Sequence, residues 1–292
     1  MSRNGTVAGM DIHGTLGKLE GAGNIFLPRK AAVLLANDDT PIEKRLTLRL
    51  EDDAPFEFSP GQFIEVSLFG YGEIPVGLAS SPTRQRSFDI VVRAVGRVSK
   101  AIHGLHGGDT LHVRGPYGNG FDLDALRGKN VLIIAGGLGL APTRSLIQYI
   151  LDKRDEFKRF TLFYGTRDPN TLLFPEDLEE WRESDKVEYF ETVDRATGPW
   201  KGNVGVVTTL FQKTKLDPGT KVVVCGPPIM FKFVLRELDS LGIPHQDIYL
   251  DVERRMKCGI GKCGHCQIND KTTCADGPVF TFAELEKLPE AF

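Results

Sequence analysis

The segment NVLIIAGGLGLAPTRSLIQYI, residues 130–150, decides the fold of the C-terminal half of the chain. Its apolar run Val131–Ala135 is typical of a buried strand, and the turn GGLGLAP leads directly into a helical pattern. At such a junction the backbone N–H groups and the helix dipole offer a site for a pyrophosphate. The spacing is not G-x-G-x-x-G, so a tight turn alone would also explain the glycines.

Downstream of this unit, strand patterns keep alternating with helical patterns. The strands are FTLFYG, VEYFETV, KVVVCG and IYLDV, and the helices run from Ala141 to about Lys153, around DLEEWRE, from Val204, and from Ile229 to Leu241. This alternation predicts a doubly wound parallel sheet with helices on both faces. We assign residues 128–252 to this dinucleotide-binding domain.

Two further loops end strands of the same predicted sheet: YGTR at Tyr164–Arg167 and CGPPIM at Cys225–Met230. Ligands of open α/β sheets bind at the carboxyl ends of the strands, so three loops facing one crevice predict an NAD(P)H site. Arg167 is placed to accept a 2′-phosphate, which slightly favours NADPH over NADH. The predicted nucleotide residues are Gly136, Gly137, Gly139, Pro142, Gly165, Thr166, Arg167, Cys225, Gly226, Pro227 and Met230.

Upstream, residues 29–127 consist of short alternating runs separated by Gly, Pro and Asp turns, such as RLTLRLE from Arg45 and SFDIVVRAV from Ser87. This pattern predicts an antiparallel barrel of about six strands, interrupted by one helix after Gly96.

Three features of the predicted barrel would suit a ligand with a flat ring and a diphosphate. The segment IPVGLASSP from Ile74 offers a surface for a flat ring, and GRVS at Gly96–Ser99 lies at a strand-to-helix junction where phosphate can bind. Ser99 could equally be an ordinary helix cap, and Arg93 could neutralise a diphosphate or pair with an acid. The candidate residues are Pro75, Gly77, Leu78, Ala79, Ser80, Arg93, Gly96, Arg97, Val98 and Ser99.

Near the C-terminus, four cysteines follow a C-x4-C-x2-C-x7-C spacing: Cys258, Cys263, Cys266 and Cys274. The spacing of the first three cysteines suits a [2Fe–2S] cluster, in which two sulfurs complete each iron, and the intervening glycines permit the positive φ angles of a loop wrapped around it. Zinc and a disulfide framework are the alternatives, although zinc ribbons usually have two C-x2-C pairs. We assign residues 253–292 to a small cluster-binding lobe.

Composition excludes several classes of protein. The chain has 292 residues and a net charge of −3, without a basic patch that would suit nucleic acid. No apolar run is long enough for a membrane span, and the N-terminus lacks the pattern of a signal peptide, so a cytoplasmic location is expected. Residues 1–28 are rich in glycine and predict an extended arm, of the kind that often lies on a partner.

Taken together, the barrel, GRVS, GGLGLAP, CGPPIM and the cysteine segment ERRMKCGIGKCGHC resemble the ferredoxin–NADP⁺ reductase superfamily. Within it they resemble the dihydroorotate dehydrogenase electron-transfer subunit group, and there the gamma subunits of cytoplasmic NiFe sulfhydrogenases. GPYGNGF from Gly115 and DGPVF from Asp276 match as well. One departure lies in the flavin motif R-P-Y/F-S, where this chain has Ile74, Pro75, Val76 and Gly77.

The resemblance implies an FAD-containing NAD(P)H oxidoreductase, with Cys225 close to the nicotinamide and Arg93 with Gly96–Ser99 at the flavin diphosphate. NAD(P)H gives a hydride, FAD converts it to single electrons, and the cluster passes these to a partner. The implied partner is an iron–sulfur subunit of a hydrogenase complex, with heterodisulfide-reductase-linked and anaerobic sulfite reductase complexes as alternatives. A flavin-free electron relay and a zinc-stabilised nucleotide-binding protein are the rival functions.

Overall fold

The structure, a computed structural model, describes residues 24–84 and 86–291. Most of the predicted N-terminal arm, residues 1–23, therefore lies outside the described residues. The first described residues, Asn24–Pro28, form a turn, and the first strand starts at Arg29.

The N-terminal domain is a six-stranded antiparallel barrel, as predicted. The elements are β1 (Arg29–Asp38), β2 (Glu43–Leu50), β3 (Phe63–Leu68), β4 (Gly72–Gly77), β5 (Phe88–Arg93), helix α1 (Arg97–His103) and β6 (Thr110–Tyr117). The strands have the order β4-β3-β6-β1-β2-β5, and a bridge between Leu78 and Ile90 closes the ring. Alternating residues of the strands fill the interior with aliphatic side chains and Phe88.

A short helix, α2 (Leu123–Leu126), leads into the second domain, whose elements alternate between strand and helix. They are β7 (Val131–Gly136), α3 (Leu140–Asp152), β8 (Phe160–Thr166), α4 (Pro175–Glu183), β9 (Glu188–Val193), β10 (Asn203–Val204), β11 (Lys221–Cys225), α5 (Pro228–Ser240) and β12 (Ile248–Asp251). These strands are parallel in the order β10-β9-β8-β7-β11-β12. Because the order reverses between β7 and β11, their C-terminal loops open one crevice.

The C-terminal segment is divided between a loop lobe and the edge of the sheet. The lobe contains the hairpin β13 (Gln267–Ile268) and β14 (Lys271–Thr272) and the short helix α6 (Thr273–Asp276). The chain then adds β15 (Val279–Thr281) antiparallel to β12 and ends with α7 (Phe282–Leu285). The seven-stranded sheet is therefore mixed, with parallel strands and one antiparallel edge.

One predicted helix is wrong. The segment from Val204 was expected to be an α-helix, but it is the end of β10 followed by 3₁₀ turns over Val207–Lys213. Gly205 has a φ of 136°, which no helix accommodates, and the β-branched run after it disfavours helix formation. Among the helices of the described residues, none is long and apolar enough to cross a membrane.

Candidate functional site

The two glycine loops predicted to bind nucleotide lie in direct contact at the crevice. A β-carbon placed on Gly139 would lie 2.4 Å from the carbonyl oxygen of Cys225 and 2.8 Å from the nitrogen of Gly226. Gly139 has an ordinary φ of −60°, so this position needs glycine for the close approach of backbone and not for its torsion angle. The loop after β7 and the loop after β11 therefore form one continuous surface.

Met230 packs beneath this surface. Its Sδ would lie 2.5 Å from a β-carbon at Gly136, and its Cε would lie 2.5 Å from one at Gly226. The side chain is 9% exposed and belongs to the core on the α5 side of the sheet. Met230 therefore supports both loops from below. We expect the loop backbone, and not the Met230 side chain, to contact bound nucleotide.

The third nucleotide loop follows β8. A β-carbon on Gly165 would lie 2.9 Å from Cβ of Val207, and Thr166 is buried with its hydroxyl 2.6 Å from that of Thr171. Arg167 is exposed at the end of the strand, and its carbonyl accepts the N–H of Arg195 at 3.0 Å. Two exposed guanidinium groups therefore follow neighbouring strands, which suits an anionic ligand.

The predicted flavin surface of the barrel meets the nucleotide domain at Pro142. A β-carbon at Gly77 would lie 3.0 Å from Cβ of Pro142, so the backbone of β4 touches the first turn of α3. Beyond Gly77 the chain is fixed by hydrogen bonds, because the Ser80 hydroxyl accepts the Asp89 N–H at 2.9 Å. The same segment contains Pro75 before Gly77 and the buried residues Leu78 and Ala79 after it. This segment forms the junction of the two domains.

Arg144, a residue that the sequence analysis did not select, holds this junction together. It is 3% exposed and donates to the Ala79 carbonyl at 2.8 Å and to Asp89 at 2.9 Å. The same guanidinium pairs with Asp177 of α4 and lies 4.4 Å from the ring centroid of Phe174. The carboxylates of Asp89 and Asp177 therefore neutralise the guanidinium charge. Through these contacts Arg144 links α3 and α4 to the barrel.

At the predicted diphosphate loop, Ser99 serves the backbone. Its hydroxyl accepts the N–H groups of Val95 at 3.1 Å and Gly96 at 2.9 Å, so it orders the turn that leads into α1. Arg93 donates from Nε to Glu43 at 2.6 Å, and Glu43 is a buried carboxylate. Arg97 and Val98 occupy the first turn of α1.

Cys225 ends β11 and is paired across the sheet with Asp251, the last residue of β12. Its thiol donates to Oδ2 of Asp251 at 3.7 Å, and both residues are buried. Burial, with the charges of Asp251 and Glu253, raises the pKa of Cys225 well above its ordinary value. Burial also raises the pKa of Asp251 to about 7. The thiol therefore stays protonated at neutral pH, which disfavours a nucleophilic role.

The four C-terminal cysteines lie in one lobe and differ in exposure. Cys266 and Cys274 are each 1% exposed and pack with Phe63 and Tyr117 of the barrel, whereas Cys263 is exposed to solvent. All four are free thiols, so the disulfide alternative is excluded for this structure. The lobe therefore has a side that faces the barrel and a side that faces solvent.

Backbone N–H groups point at three of these sulfurs. Gly261 donates to Cys274 at 3.0 Å, Lys262 to Cys258 at 3.3 Å, and the N–H of Cys274 itself to Cys266 at 3.4 Å. Burial opposes ionisation of Cys258, but backbone donors outweigh it and lower its pKa to about 7. Gly259, Gly261 and Gly264 all have positive φ, as a loop wrapped around a cluster requires. The donors stabilise the thiolate of Cys258, whereas burial and the neighbouring Cys266 raise the pKa of Cys274. N–H groups directed at sulfur suit an iron–sulfur cluster.

A single-ion site does not describe this lobe. Across residues 24–84 and 86–291, no three His, Cys, Asp or Glu side chains are arranged to hold one metal ion. Zinc would need all four sulfurs at one tetrahedral centre, whereas a two-iron cluster spreads them over two metals.

Beneath the lobe, the barrel presents a buried polar network. Arg114 pairs with Glu73, donates to the Tyr117 hydroxyl at 3.1 Å and reaches the Cys258 carbonyl at 3.3 Å. Tyr117 in turn donates to the carbonyl of Ile25 at 2.7 Å. Glu65 is 1% exposed, and its Oε1 has no hydrogen-bond partner among the described residues; burial raises its pKa to about 8. This network fixes the cluster loop on the barrel and secures the first described residues there.

Sequence patterns contained partial signals for the residues that were missed. Asp251 is an acid at the end of an apolar strand, and Arg144 is a charge within a helix that is otherwise buried. Buried charges need partners, so both positions could have been singled out. Their partners Cys225, Asp89 and Asp177 are distant in sequence, and no local pattern identifies them.

Comparison with known families gives three matches along the chain. Residues 38–121 match the oxidoreductase FAD-binding domain, residues 133–236 the oxidoreductase NAD-binding domain, and residues 253–286 the iron-sulfur cluster binding domain of dihydroorotate dehydrogenase B. These matches confirm the predicted cofactors, which are FAD, NAD(P)H and a [2Fe–2S] cluster. They also decide against the flavin-free and zinc-containing alternatives.

Among curated proteins, the chain is 40% identical over 280 residues to the sulfhydrogenase 2 subunit gamma of Pyrococcus furiosus, covering 89% of this chain and 96% of that protein. It is 36% identical over 229 residues to the probable dihydroorotate dehydrogenase B (NAD⁺) electron transfer subunit of the same organism, covering 78% and 82%.

Among solved structures, it resembles an NADH-dependent reduced ferredoxin–NADP oxidoreductase, with a TM-score of 0.71, 25% identity and coverage of 92% and 94%. It also resembles the ferredoxin reductase in carbazole 1,9a-dioxygenase, with a TM-score of 0.65, 25% identity and coverage of 77% and 69%. With its FAD, NAD and iron–sulfur domains, the chain belongs to the ferredoxin reductase-like electron-transfer subunits that include the sulfhydrogenase gamma and dihydroorotate dehydrogenase B proteins.

Proposed function

We propose that this chain is the NAD(P)H-oxidising subunit of a hetero-oligomeric redox complex and exchanges electrons with an iron–sulfur partner of a NiFe hydrogenase module. The observation that carries the proposal is the position of the barrel, which touches the nucleotide loops at Pro142 on one side and the cysteine lobe at Tyr117 on the other. The predicted flavin surface therefore lies between a two-electron donor and a one-electron carrier.

When bound, FAD would supply the conversion between the two-electron hydride of NAD(P)H and one-electron transfer to the cluster. The chain's own residues do the positioning. We place the nicotinamide against Cys225 and the loops at Gly136–Gly139 and Gly226–Met230, and the flavin ring along Pro75–Ser80. The first turn of α1, Gly96–Ser99, then offers N–H groups to the diphosphate, and Arg93 supplies charge nearby.

In the cysteine lobe, the difference in exposure among the cysteines suggests the direction of electron transfer. Buried Cys266 and Cys274 face the barrel, and exposed Cys263 faces outward. We infer that electrons enter the cluster from the barrel side and leave on the side of Cys263. A cluster with an exposed ligand is useful to a second protein, which supports a subunit role.

The hydrogenase type is preferred over the alternatives because the match to the sulfhydrogenase gamma subunit covers nearly the whole of both chains. A heterodisulfide-reductase-linked or sulfite reductase complex would use the same cofactors and remains the alternative. Affinity purification of the tagged chain from its native source tests the assignment. We expect hydrogenase and iron–sulfur subunits in fixed stoichiometry, whereas a monomer that reduces a small-molecule substrate at full rate by itself would contradict the proposal.

Arg167 is proposed to read the 2′-phosphate of NADPH, together with its exposed neighbour Arg195. Dye reduction with NADPH and with NADH, for wild type and Arg167→Ala, tests this role. We expect the KM for NADPH to rise about tenfold, since one charge-assisted contact is lost, with little change for NADH. Arg182→Ala, which removes a surface ion pair with Glu191, serves as the control. An equal loss with both nucleotides would exclude this role for Arg167.

A further inference from the structure

The tip of the β3–β4 hairpin, residues 68–72, exposes two aromatic side chains. Phe69 is 95% exposed and Tyr71 is 50% exposed, and they are separated by a single residue, Gly70. A single exposed aromatic is ordinary on a protein surface, but two on one hairpin tip provide apolar rings on which a flat ligand can stack. These two side chains lie next to the predicted diphosphate loop, so they are placed where part of a bound dinucleotide could reach them.

Three contacts join the hairpin tip to the first turn of α1. Arg97 donates from Nη2 to the carbonyl of Gly70 at 2.6 Å, and its guanidinium lies 5.9 Å from the ring centroid of Tyr71. A β-carbon on Gly72 would lie 3.3 Å from Cγ2 of Val98. The hairpin tip and the loop at Gly96–Ser99 therefore form one surface that carries a fixed cation beside an aromatic ring.

The direction of β4 tells which half of FAD would reach this surface. The strand runs from Gly72 at the tip to Gly77, where it meets Pro142 and the nucleotide domain. The flavin ring belongs at the Gly77 end, because hydride transfer requires it to face the nicotinamide. With the diphosphate at α1, the adenosine lies on the far side of the diphosphate, toward Phe69 and Tyr71.

We propose that Phe69 and Tyr71 form the stacking platform for the adenine of FAD, with Arg97 beside the diphosphate, and that this platform makes the barrel select FAD over FMN. The inference rests on the diphosphate position given under the proposed function. It also bears on the departure in the flavin motif, where Ile74 replaces an arginine. Arg97 supplies a positive charge beside the diphosphate instead.

The test compares FAD and FMN binding to the full-length chain after removal of its flavin, by quenching of flavin fluorescence. In the double variant Phe69→Ser/Tyr71→Ser, we expect the Kd for FAD to rise about tenfold or more, because the adenine loses its stacking contact with an aromatic ring. The Kd for FMN, which has no adenine, should stay unchanged. Both side chains are exposed, so the thermal unfolding midpoint should also stay unchanged.

The matched control is Leu35→Ser/Leu241→Ser, which removes two exposed apolar side chains elsewhere on the molecule. It should leave both Kd values at the wild-type level. Equal weakening of FAD and FMN in the hairpin variant, or no weakening of either, would overturn the platform. A wild-type chain that binds FMN as tightly as FAD would overturn the platform alone, whereas one that binds neither flavin would overturn the proposed function as well.

Discussion

At Gly139 the two nucleotide loops leave no room for a β-carbon, because the Cys225 carbonyl oxygen would lie only 2.4 Å away. We predict that Gly139→Ala separates the loops, weakens NAD(P)H binding and destabilises the fold by about 1–3 kcal/mol through overpacking. Gly242→Ala is the control, because Gly242 lies outside the nucleotide loops and has a φ of 69° but no atoms within 4 Å of its β-carbon position. Nucleotide titration and denaturant unfolding should separate them, with Gly242→Ala losing about 1 kcal/mol and retaining NAD(P)H binding. Equal nucleotide affinity in both variants would contradict the prediction.

The cysteines can be tested one at a time. We expect about two irons and two sulfides in each wild-type chain, and loss of the cluster in Cys263→Ser, because a serine oxygen replaces a thiolate ligand. Cys225→Ser is the matched control and should keep its iron, since that buried thiol lies at the nucleotide loops. Iron and sulfide analysis of anaerobically prepared protein gives the answer. Four irons per chain, or zinc alone, would exclude the assigned cluster.

Asp251 predicts a pH dependence of stability. Its carboxyl has a pKa of about 7 in the fold and an ordinary pKa of 3.8 in the unfolded chain. Between these values the native state holds a proton that the unfolded state has released, so stability falls as pH rises, by up to about 1.4 kcal/mol per pH unit. Above about pH 7 this contribution is lost and no longer changes. Thermal unfolding across this range should show a shallower slope in Asp251→Asn; an identical slope would exclude Asp251 as the source.

At the scale of elements, Arg144 links α3 and α4 to β5 through two carboxylates and one carbonyl. We predict that Arg144→Ala costs about 3–5 kcal/mol of unfolding free energy, because two partly buried carboxylates lose their partner. Arg29→Ala, which breaks an exposed ion pair with Asp52, should cost less than about 1 kcal/mol. Denaturant unfolding compares them. A loss in Arg144→Ala no larger than that in Arg29→Ala would mean that the junction does not depend on this residue.

The elements that the sequence predicted correctly are those with strong local patterns. The barrel strands have period-two alternation, and the run Val131–Ala135 is wholly apolar and buried. The failures came where local pattern and tertiary context disagree. The segment after Val204 has apolar residues at helical spacing, but its helical propensity is too low for an α-helix to form. The three-residue strand β15 forms because it pairs with the edge of β12, and no local pattern predicts it.

The candidate site divides in the same way. Glycine loops and cysteines are local motifs, so their positions could be predicted from the chain alone. The contacts that combine them are not local: Gly77 against Pro142, Arg144 with Asp89 and Asp177, and Tyr117 beneath the cluster loop. These pairs are distant in sequence, and no single motif specifies which residues meet.

At the scale of the whole molecule, three binding regions follow one another across the fold. The nucleotide loops meet the barrel at Pro142, and the barrel meets the cysteine lobe at Tyr117. On the outer side of the lobe, Cys263 is exposed to solvent. Each junction is made by buried contacts, which favours a fixed geometry between neighbouring regions. A fixed geometry suits electron transfer between cofactors that never leave the protein.

Anaerobic reduction of the full-length protein by NAD(P)H, followed by flavin absorbance and by EPR of the cluster, tests this account most directly. We predict that NAD(P)H bleaches the flavin and produces the EPR signal of one unpaired electron on the cluster, while Cys263→Ser gives the bleaching without that signal. Dithionite reduction of wild type supplies the reference spectrum. If excess NAD(P)H bleached the flavin but left the dithionite-reducible cluster oxidised, the proposed path from nucleotide to cluster would be wrong.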